Sequence, residues 1–235
     1  MLETAVVIAG GEGSRLYPLT ADKPKTLVEV AHKPLFYWVV RWLKANGIRK
    51  LVVGVAYKKE KMYEYLKEND NFGLEVKVSE HTVEGGTAQA FKLAISRHVK
   101  EDDFIAMNSD ELTNMRLSHL VDVHLKYKPT ATLCLSNFYC KFSVVETDRL
   151  NFASSFVYGK KLPDTYISNG IYVFNRRILD HIPDRGSMED DVFKKLVTKN
   201  QIATYKMSDQ EDWVSVNSVK DIKEANLKLK EWGYA

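Results

Sequence analysis

Long apolar runs are missing from this chain of 235 residues, and none approaches the roughly 18 residues that a membrane-spanning helix needs. No membrane partner is therefore expected. Cysteine is scarce: Cys134 and Cys140 are the only two, and their spacing suits neither a disulfide framework nor a metal-ligand set. They read as inert thiols on strands, with a reducing cytoplasm as the expected setting. Charge of one sign is also lacking. The 34 Lys and Arg against 31 Asp and Glu leave a formal charge of +3, and the basic residues are spread along the chain rather than blocked. That pattern argues against a nucleic-acid surface. The opening Met1-Leu2-Glu3-Thr4 carries no basic stretch and is not read as a signal peptide. There are no internal repeats, low-complexity segments or linker-like stretches, so a single domain over 1–235 is the expectation. A hydrophobic content of 45% with 28% charged residues is ordinary for a globular chain with one sizeable core.

What is present begins early. The apolar run Ala5-Val6-Val7-Ile8-Ala9 predicts a buried strand over Thr4–Ala9, and Gly10-Gly11-Glu12-Gly13-Ser14-Arg15-Leu16 follows it directly. Gly10, Gly11 and Gly13 remove Cβ atoms, which lets the backbone N–H groups from Ala9 to Ser14 approach an anion closely. Arg15 adds a fixed fork of donors suited to phosphate oxygens, and Lys25 adds a point charge. The combination points to a polyphosphate cradle. It is not a P-loop, because no Gly-Lys-Ser/Thr follows the glycines. It is a poor dinucleotide fingerprint too, since the third glycine is missing and Pro18, Pro24 and Pro34 keep the next stretch irregular.

Short apolar strands then alternate with amphipathic segments. Helices are predicted over Pro34–Asn46, Lys59–Glu68, Thr87–His98 and Leu117–Tyr127, with strands at Leu51–Val55, Leu74–Val78 and Phe104–Met107. This alternation implies right-handed βαβ units. After Thr130 the pattern changes to four short strands, Thr132–Leu135, Ser143–Glu146, Ser154–Val157 and Gly170–Phe174, before helices return at Met188–Lys199 and Ser218–Trp232. The fold class expected is α/β: a three-layer sandwich around a Rossmann-like, mixed and mainly parallel sheet with an antiparallel extension.

Two further segments carry chemistry. Asp110 follows the strand Phe104–Met107, where α/β sheets place ligands. Its carboxylate is a candidate to hold Mg²⁺ against nucleotide phosphates or, alternatively, to cap a turn. Gly85-Gly86-Thr87-Ala88 opens a helix with small residues, so Gly86 and Thr87 either let a flat base lie near the backbone or pack tightly on the sheet.

The frame Gly10-Gly11-Glu12-Gly13-Ser14-Arg15-Leu16, Pro18-Leu19-Thr20, Pro24-Lys25-Thr26-Leu27-Val28-Glu29-Val30 and Lys33-Pro34-Leu35 resembles the sugar-1-phosphate nucleotidylyltransferases, or NDP-sugar pyrophosphorylases. The chain looks like a short form without the C-terminal β-helix that many of them carry. The resemblance implies that an NTP and a sugar 1-phosphate, a hexose 1-phosphate by expectation, give an NDP-sugar and pyrophosphate with Mg²⁺ as cofactor. Gly86-Thr87-Ala88-Gln89-Ala90-Phe91 is similar to the family's base-binding stretch and has both thymidylyl and guanylyl character; Glu80 or His81 lies near a base-contacting position. Arg15, Lys25 and Asp110 are the implied catalytic set. Asn169-Gly170-Ile171-Tyr172-Val173-Phe174 matches the strand that follows the sugar-phosphate motif, which makes Asn169 and Gly170 candidate substrate contacts. Tyr158 stands where the family has a sugar-binding Glu, leaving Lys160 or Lys161 to supply the cation. Glu189 is placed either on the sugar or in a capping box with Ser187. Near the end, Trp213-Val214-Ser215-Val216-Asn217-Ser218 departs from the family pattern: Ser215 replaces a metal-binding Asp, and Asn217 is the alternative metal ligand beside Asp110. Two other functions stay open, a cytidylyltransferase for a non-sugar alcohol phosphate and a nucleotide-sugar-binding regulator with weakened turnover.

Overall fold

The computed structural model describes residues 2–234. Its strands are β1 (Thr4–Ile8), β2 (Glu29–Val30), β3 (Lys33–Pro34), β4 (Lys50–Val55), β5 (Glu75–Glu80), β6 (Asp103–Asn108), β7 (Glu111–Thr113), β8 (Ala131–Thr147), β9 (Ala153–Asn175), β10 (Ile202–Lys206) and β11 (Trp213–Ser215). Its α-helices are α1 (Leu35–Ala45), α2 (Lys59–Glu68), α3 (Gly86–His98), α4 (Leu117–Tyr127), α5 (Lys194–Thr198) and α6 (Val219–Glu231). Seven strands form the main sheet in the order β10-β8-β9-β6-β1-β4-β5. β1 pairs in parallel with β4 and β6, and β4 with β5, whereas β9 runs antiparallel to both β6 and β8.

Alternation along each strand divides the core into two layers. Ala5, Val7, Leu51, Val53, Ile105 and Met107 pack with α1, α2, α4 and α6 on one face. Val6, Val52, Phe104 and Ala106 pack with α3 and α5 on the other. Strands buried on both faces read as continuous apolar runs, which is why β1, β4 and β6 are apolar throughout their centres. The three-layer α/β sandwich expected from the sequence is the fold observed.

The second half corrects two expectations. The four short strands are two long ones, of 17 and 23 residues, that form one twisted ribbon. Register shifts at Leu133/Leu135, Asn137/Tyr139, Cys140/Ser143 and Glu146/Thr147 absorb the polar residues that look like turns. At Gly159, with φ +66°, the ribbon takes a left-handed backbone conformation that glycine adopts without strain, and the Tyr139 hydroxyl lies against the place of a Cβ. The helix expected over Met188–Lys199 is split into a π-helical turn, Met188–Phe193, and the short α5. β7, β10 and β11 were not anticipated; each is three to five residues long and depends on a distant partner.

Candidate active site

The C-terminal ends of β1 and β6 meet the glycine loop, the turn that carries Lys25 and the short β7–β11 ladder. Ala9 is buried and donates its N–H to the Gly54 carbonyl at 2.7 Å, so β1 delivers the loop from a fixed point. Gly13 is left-handed, with φ +65°, and a Cβ there would lie 2.8 Å from Lys25 Cβ. The loop thus folds directly onto the Lys25 stem. Leu16 N–H and the Thr20 hydroxyl both donate to the Gly13 carbonyl, at 2.8 and 3.1 Å. Gly11 faces open space, while a Cβ on Gly10 would collide with the His81 ring. Ser14 and Arg15 are exposed on the rim.

Lys25 Nζ is 2.5 Å from Asp110 Oδ2 and donates to Asn217 Oδ1 at 2.7 Å. Arg15 donates to the same amide oxygen at 3.0 Å. Four of the residues singled out in the sequence therefore come together, although up to 202 positions separate them. Asp110 is held by its own backbone, since its carbonyl accepts from Val216 N–H at 2.9 Å.

Glu111 completes the group and was missed. It pairs with Ser215 across the β7–β11 ladder and is only 7% exposed. Trp213 Nε1–H donates to Glu111 Oε2 at 2.7 Å, Ser215 Oγ–H donates to Oε1 at 3.2 Å, and Asn217 Nδ2–H donates to Ser215 Oγ at 2.7 Å. Burial, and then the neighbouring Asp110 charge, push the Glu111 carboxyl well above the ordinary carboxylate range. The available signal was the doublet Asp110-Glu111, a second acid directly after the candidate metal-binding Asp110.

The remaining candidates divide. Gly86, with φ +71°, leaves no room for a Cβ against the Gly186 carbonyl, and Thr87 Oγ1 accepts from Met188 N–H at 3.0 Å. The start of α3 is thus strapped to the 186–188 segment. Glu80 pairs with Lys59 at 2.6 Å and accepts from Tyr63 at 3.0 Å, away from the loop. His81 is the residue that faces the loop; burial lowers its pKa, and its Nδ1 is buried without a partner among the described residues. Ser187 caps the Asp190 N–H at 2.9 Å, so the N3 residue of that cap is Asp190, and Glu189 stands exposed beside it. Asn169 is fully buried, its amide nitrogen among Cys134, Ser136 and Met207. Gly170, with φ +72°, lies behind Glu111, where a Cβ would sit 2.9 Å from Oε1.

A cavity of about 830 Å³ opens between the β8–β9 ribbon and the β11–α6 edge. Tyr139, Phe142, Tyr158 and Trp213 supply aromatic walls, Lys161 lines it, and Ser215 joins it to the cluster above. Lys161 reaches Asp209 at 3.3 Å, whereas Lys160 pairs with Glu146 at 2.8 Å. Among the described residues no three of His, Cys, Asp and Glu gather as a metal site. The hard oxygens on hand are the Asp110 carboxylate and the Asn217 amide oxygen. That set fits Mg²⁺, which binds through one or two carboxylates and completes its shell with phosphate oxygens and water. It does not suit a structural zinc, which needs a full set of nitrogen and sulfur ligands.

The mannose-1-phosphate guanylyltransferase catalytic subunit beta of Drosophila pseudoobscura pseudoobscura is 31% identical over 226 residues, covering 92% of this chain and 60% of that protein. The mannose-1-phosphate guanyltransferase of Gibberella zeae is 31% identical over 227 residues, covering 92% and 61%. The chain thus spans about 60% of the length of these curated relatives. HddC from Yersinia pseudotuberculosis, solved in complex with GMP-PN, shares the fold with a TM-score of 0.74 at 19% identity, over 97% of this chain and 100% of that one. Residues 4–231 match the nucleotidyl transferase family, and the chain belongs to it.

Proposed function

We propose that this protein joins a nucleoside triphosphate and a sugar 1-phosphate, giving an NDP-sugar and pyrophosphate. The observation that carries the reading is the meeting of Lys25 and Arg15 on one amide oxygen, at 2.7 and 3.0 Å, beside the open glycine loop. Asp110 offsets the charge of Lys25, whereas Arg15 meets only a neutral amide oxygen and pairs with no carboxylate among the described residues, so the rim keeps positive charge that a triphosphate would meet. The base is of guanylyl or thymidylyl type, and the names of the relatives favour guanine. The free thiols Cys134 and Cys140 suit a cytoplasmic setting.

A phosphate oxygen of the sugar 1-phosphate attacks the α-phosphorus in line; the new O–P bond forms as the bond to the β-phosphate oxygen breaks, and pyrophosphate leaves with its electron pair. No side chain needs to act as a nucleophile, so catalysis is positioning and charge stabilisation. Arg15 at the rim meets the charge of the departing pyrophosphate. Lys25, set by Asp110, neutralises charge between the α-phosphate and the incoming phosphate. Asp110, with Asn217 Oδ1 once Lys25 and Arg15 turn to the phosphates, would hold Mg²⁺, whose charge would add to the neutralisation of the triphosphate. The aromatic-lined cavity accepts the sugar, and Lys161 on its wall supplies a cation for the phosphate. Asn169 and Gly170 back this region from the core, whereas Glu189, on the 188–193 turn, is not among the residues that line the cavity.

Pyrophosphate release measured across four NTPs and a panel of hexose 1-phosphates tests the reading. One NTP and sugar pair well above the rest is the expected result. Binding of an NDP-sugar with no pyrophosphate from any pair would contradict it and leave a regulator; turnover only with CTP and an alcohol phosphate would point to the cytidylyl chemistry.

A further inference from the structure

We propose that Glu111 is a positioning residue: it anchors the acceptor end of a hydrogen-bond relay, through Ser215, that holds the Asn217 amide oxygen toward Lys25 and Arg15. The inference rests on the site reading above.

The donor-only groups Lys25 and Arg15 set the direction of the relay. At one end stand Lys25 and Arg15, which can donate and never accept. The atom of Asn217 that meets them at 2.7 and 3.0 Å must therefore be its oxygen. Its Nδ2 is then turned to Ser215 Oγ at 2.7 Å, and that oxygen must accept. The Ser215 hydroxyl proton is left to point the other way, to Glu111 Oε1 at 3.2 Å. The second carboxyl oxygen is taken by Trp213 Nε1–H at 2.7 Å, which is also donor-only. With Trp213 Nε1–H on Oε2, Oε1 is the carboxyl oxygen that receives the Ser215 proton.

The Glu111 carboxyl is bonded by Trp213 and Ser215 alone among the described residues. No lysine, arginine or histidine pairs with it among the described residues. It is nevertheless buried, and a carboxyl with no cation is an expensive group to bury. Its seat is made by the chain: the ladder sets Ser215 opposite it, and the absence of a Cβ at Gly170 leaves room for Oε1. An apolar residue would fill this place at less cost. What only an acceptor supplies here is a destination for the Ser215 proton. Were the Asn217 amide reversed, its NH₂ would face two cations and its oxygen would face Ser215, and Lys25 would lose one of the two contacts that hold it beside Asp110.

The test is equilibrium binding of GTP and dTTP, titrated in parallel by calorimetry without Mg²⁺, so that no turnover is needed. The tighter nucleotide is carried through the variants, with Arg15→Ala as the gauge of the site. Glu111→Gln keeps the shape but presents an NH₂ to Ser215, leaving two donors on one hydroxyl. Ser215→Ala removes the link. Each is expected to weaken binding about 10-fold, the size of a lost hydrogen bond to a charged group. The double variant is expected to be no weaker than the worse single, since both cut one chain. Ser215→Thr, which restores the hydroxyl, is expected to bind within about twofold of wild type. If Glu111→Gln fails to fold, the Ser215→Ala and Ser215→Thr pair decides. Unchanged affinity in Glu111→Gln and Ser215→Ala, or additive losses in the double, would overturn the relay while the Arg15→Ala loss keeps the site. An Arg15→Ala protein that binds as wild type would overturn the site and the relay together.

Discussion

The parallel half of the molecule and the β8–β9 ribbon put strands to different uses. β1, β4 and β6 are five or six residues long, buried along most of their length, and each ends at a loop. The charged residues of the candidate site gather at two of those ends. The ribbon begins in the same core, with Phe174 and Val173 fully buried on β9. It then runs outward until Phe142, Phe156 and Tyr158 are 78%, 71% and 78% exposed. The comparison teaches a division of labour. Lys25, Asp110 and Glu111 sit where packing is dense, whereas the outer ribbon that walls the cavity sits where few contacts constrain it.

The division can be broken at either end, and the largest effect is expected at the buried root of the ribbon. Phe174 lies among Phe91, Phe104, Tyr172 and Phe193, with ring centroids between 5.2 and 6.3 Å away. Phe174→Ala should lower unfolding free energy by about 3–5 kcal/mol, the usual cost of emptying such a site; denaturant unfolding would read it, and a loss under 1 kcal/mol would show that the core is not continuous there. At the rim of the parallel half, Arg15→Ala should lower turnover by about 10²–10³-fold, or roughly 3–4 kcal/mol. Its melting temperature should stay at the wild-type value, because the side chain is exposed.

A smaller effect ties the two halves through pH. His124 of α4 is buried between Thr132 Oγ1 on β8, at 2.8 Å, and Asp103 Oδ1 on β6, at 3.2 Å. Burial lowers its pKa, outweighing the opposing pull of Asp103. The unfolded chain, with an ordinary histidine value near ~6.5, then binds more protons than the folded one below that pH. The contribution of His124 is present above pH ~6.5 and is lost as pH falls through and below it. Melting followed from pH 7.5 to 5 should fall more steeply for wild type than for His124→Gln; equal slopes would remove His124 as a source. His81, lowered by burial as well, adds a residual slope of the same sign. The smallest effect is expected at the outer ribbon, where Phe156→Ser should change stability by no more than about 0.5 kcal/mol. A larger loss on dilution of the protein would mean that the ribbon is covered by something in solution.

The same contrast governs what could be read from the sequence. Thr4–Ile8, Lys59–Glu68 and Leu117–Tyr127 are legible because apolar spacing and local punctuation settle them within one segment. The ribbon is not, since Gly159, Lys160, Lys161 and Pro163 look like a turn until a partner strand with matching bulges holds them extended. At the site, Arg15, Lys25 and Asp110 stand out by residue type and position. Glu111 does not, because its partners Trp213 and Ser215 lie 102 and 104 positions away and only the ladder brings them near. Ser215 looks like a vacant metal position in sequence; in the fold its hydroxyl is engaged with Glu111 and Asn217. Glu80 and His81, equivalent as candidates in sequence, are separated by strand alternation, which turns Glu80 to Lys59 and His81 to the loop.

The central claim is that the cluster of Arg15, Lys25, Asp110 and Asn217 is where a nucleoside triphosphate binds with Mg²⁺. Thermal melting with and without Mg²⁺ and GTP, or dTTP where that nucleotide binds more tightly, tests it most directly in wild type and Asp110→Asn. A ligand at 100 times its dissociation constant stabilises the folded state by about 2.7 kcal/mol, which is several degrees for a domain of this size. The account predicts that in wild type metal and nucleotide together give a larger shift than nucleotide alone and that Asp110→Asn, folded and melting near wild type alone, loses most of this metal-dependent gain. An Asp110→Asn protein that keeps the full wild-type shift would contradict the account.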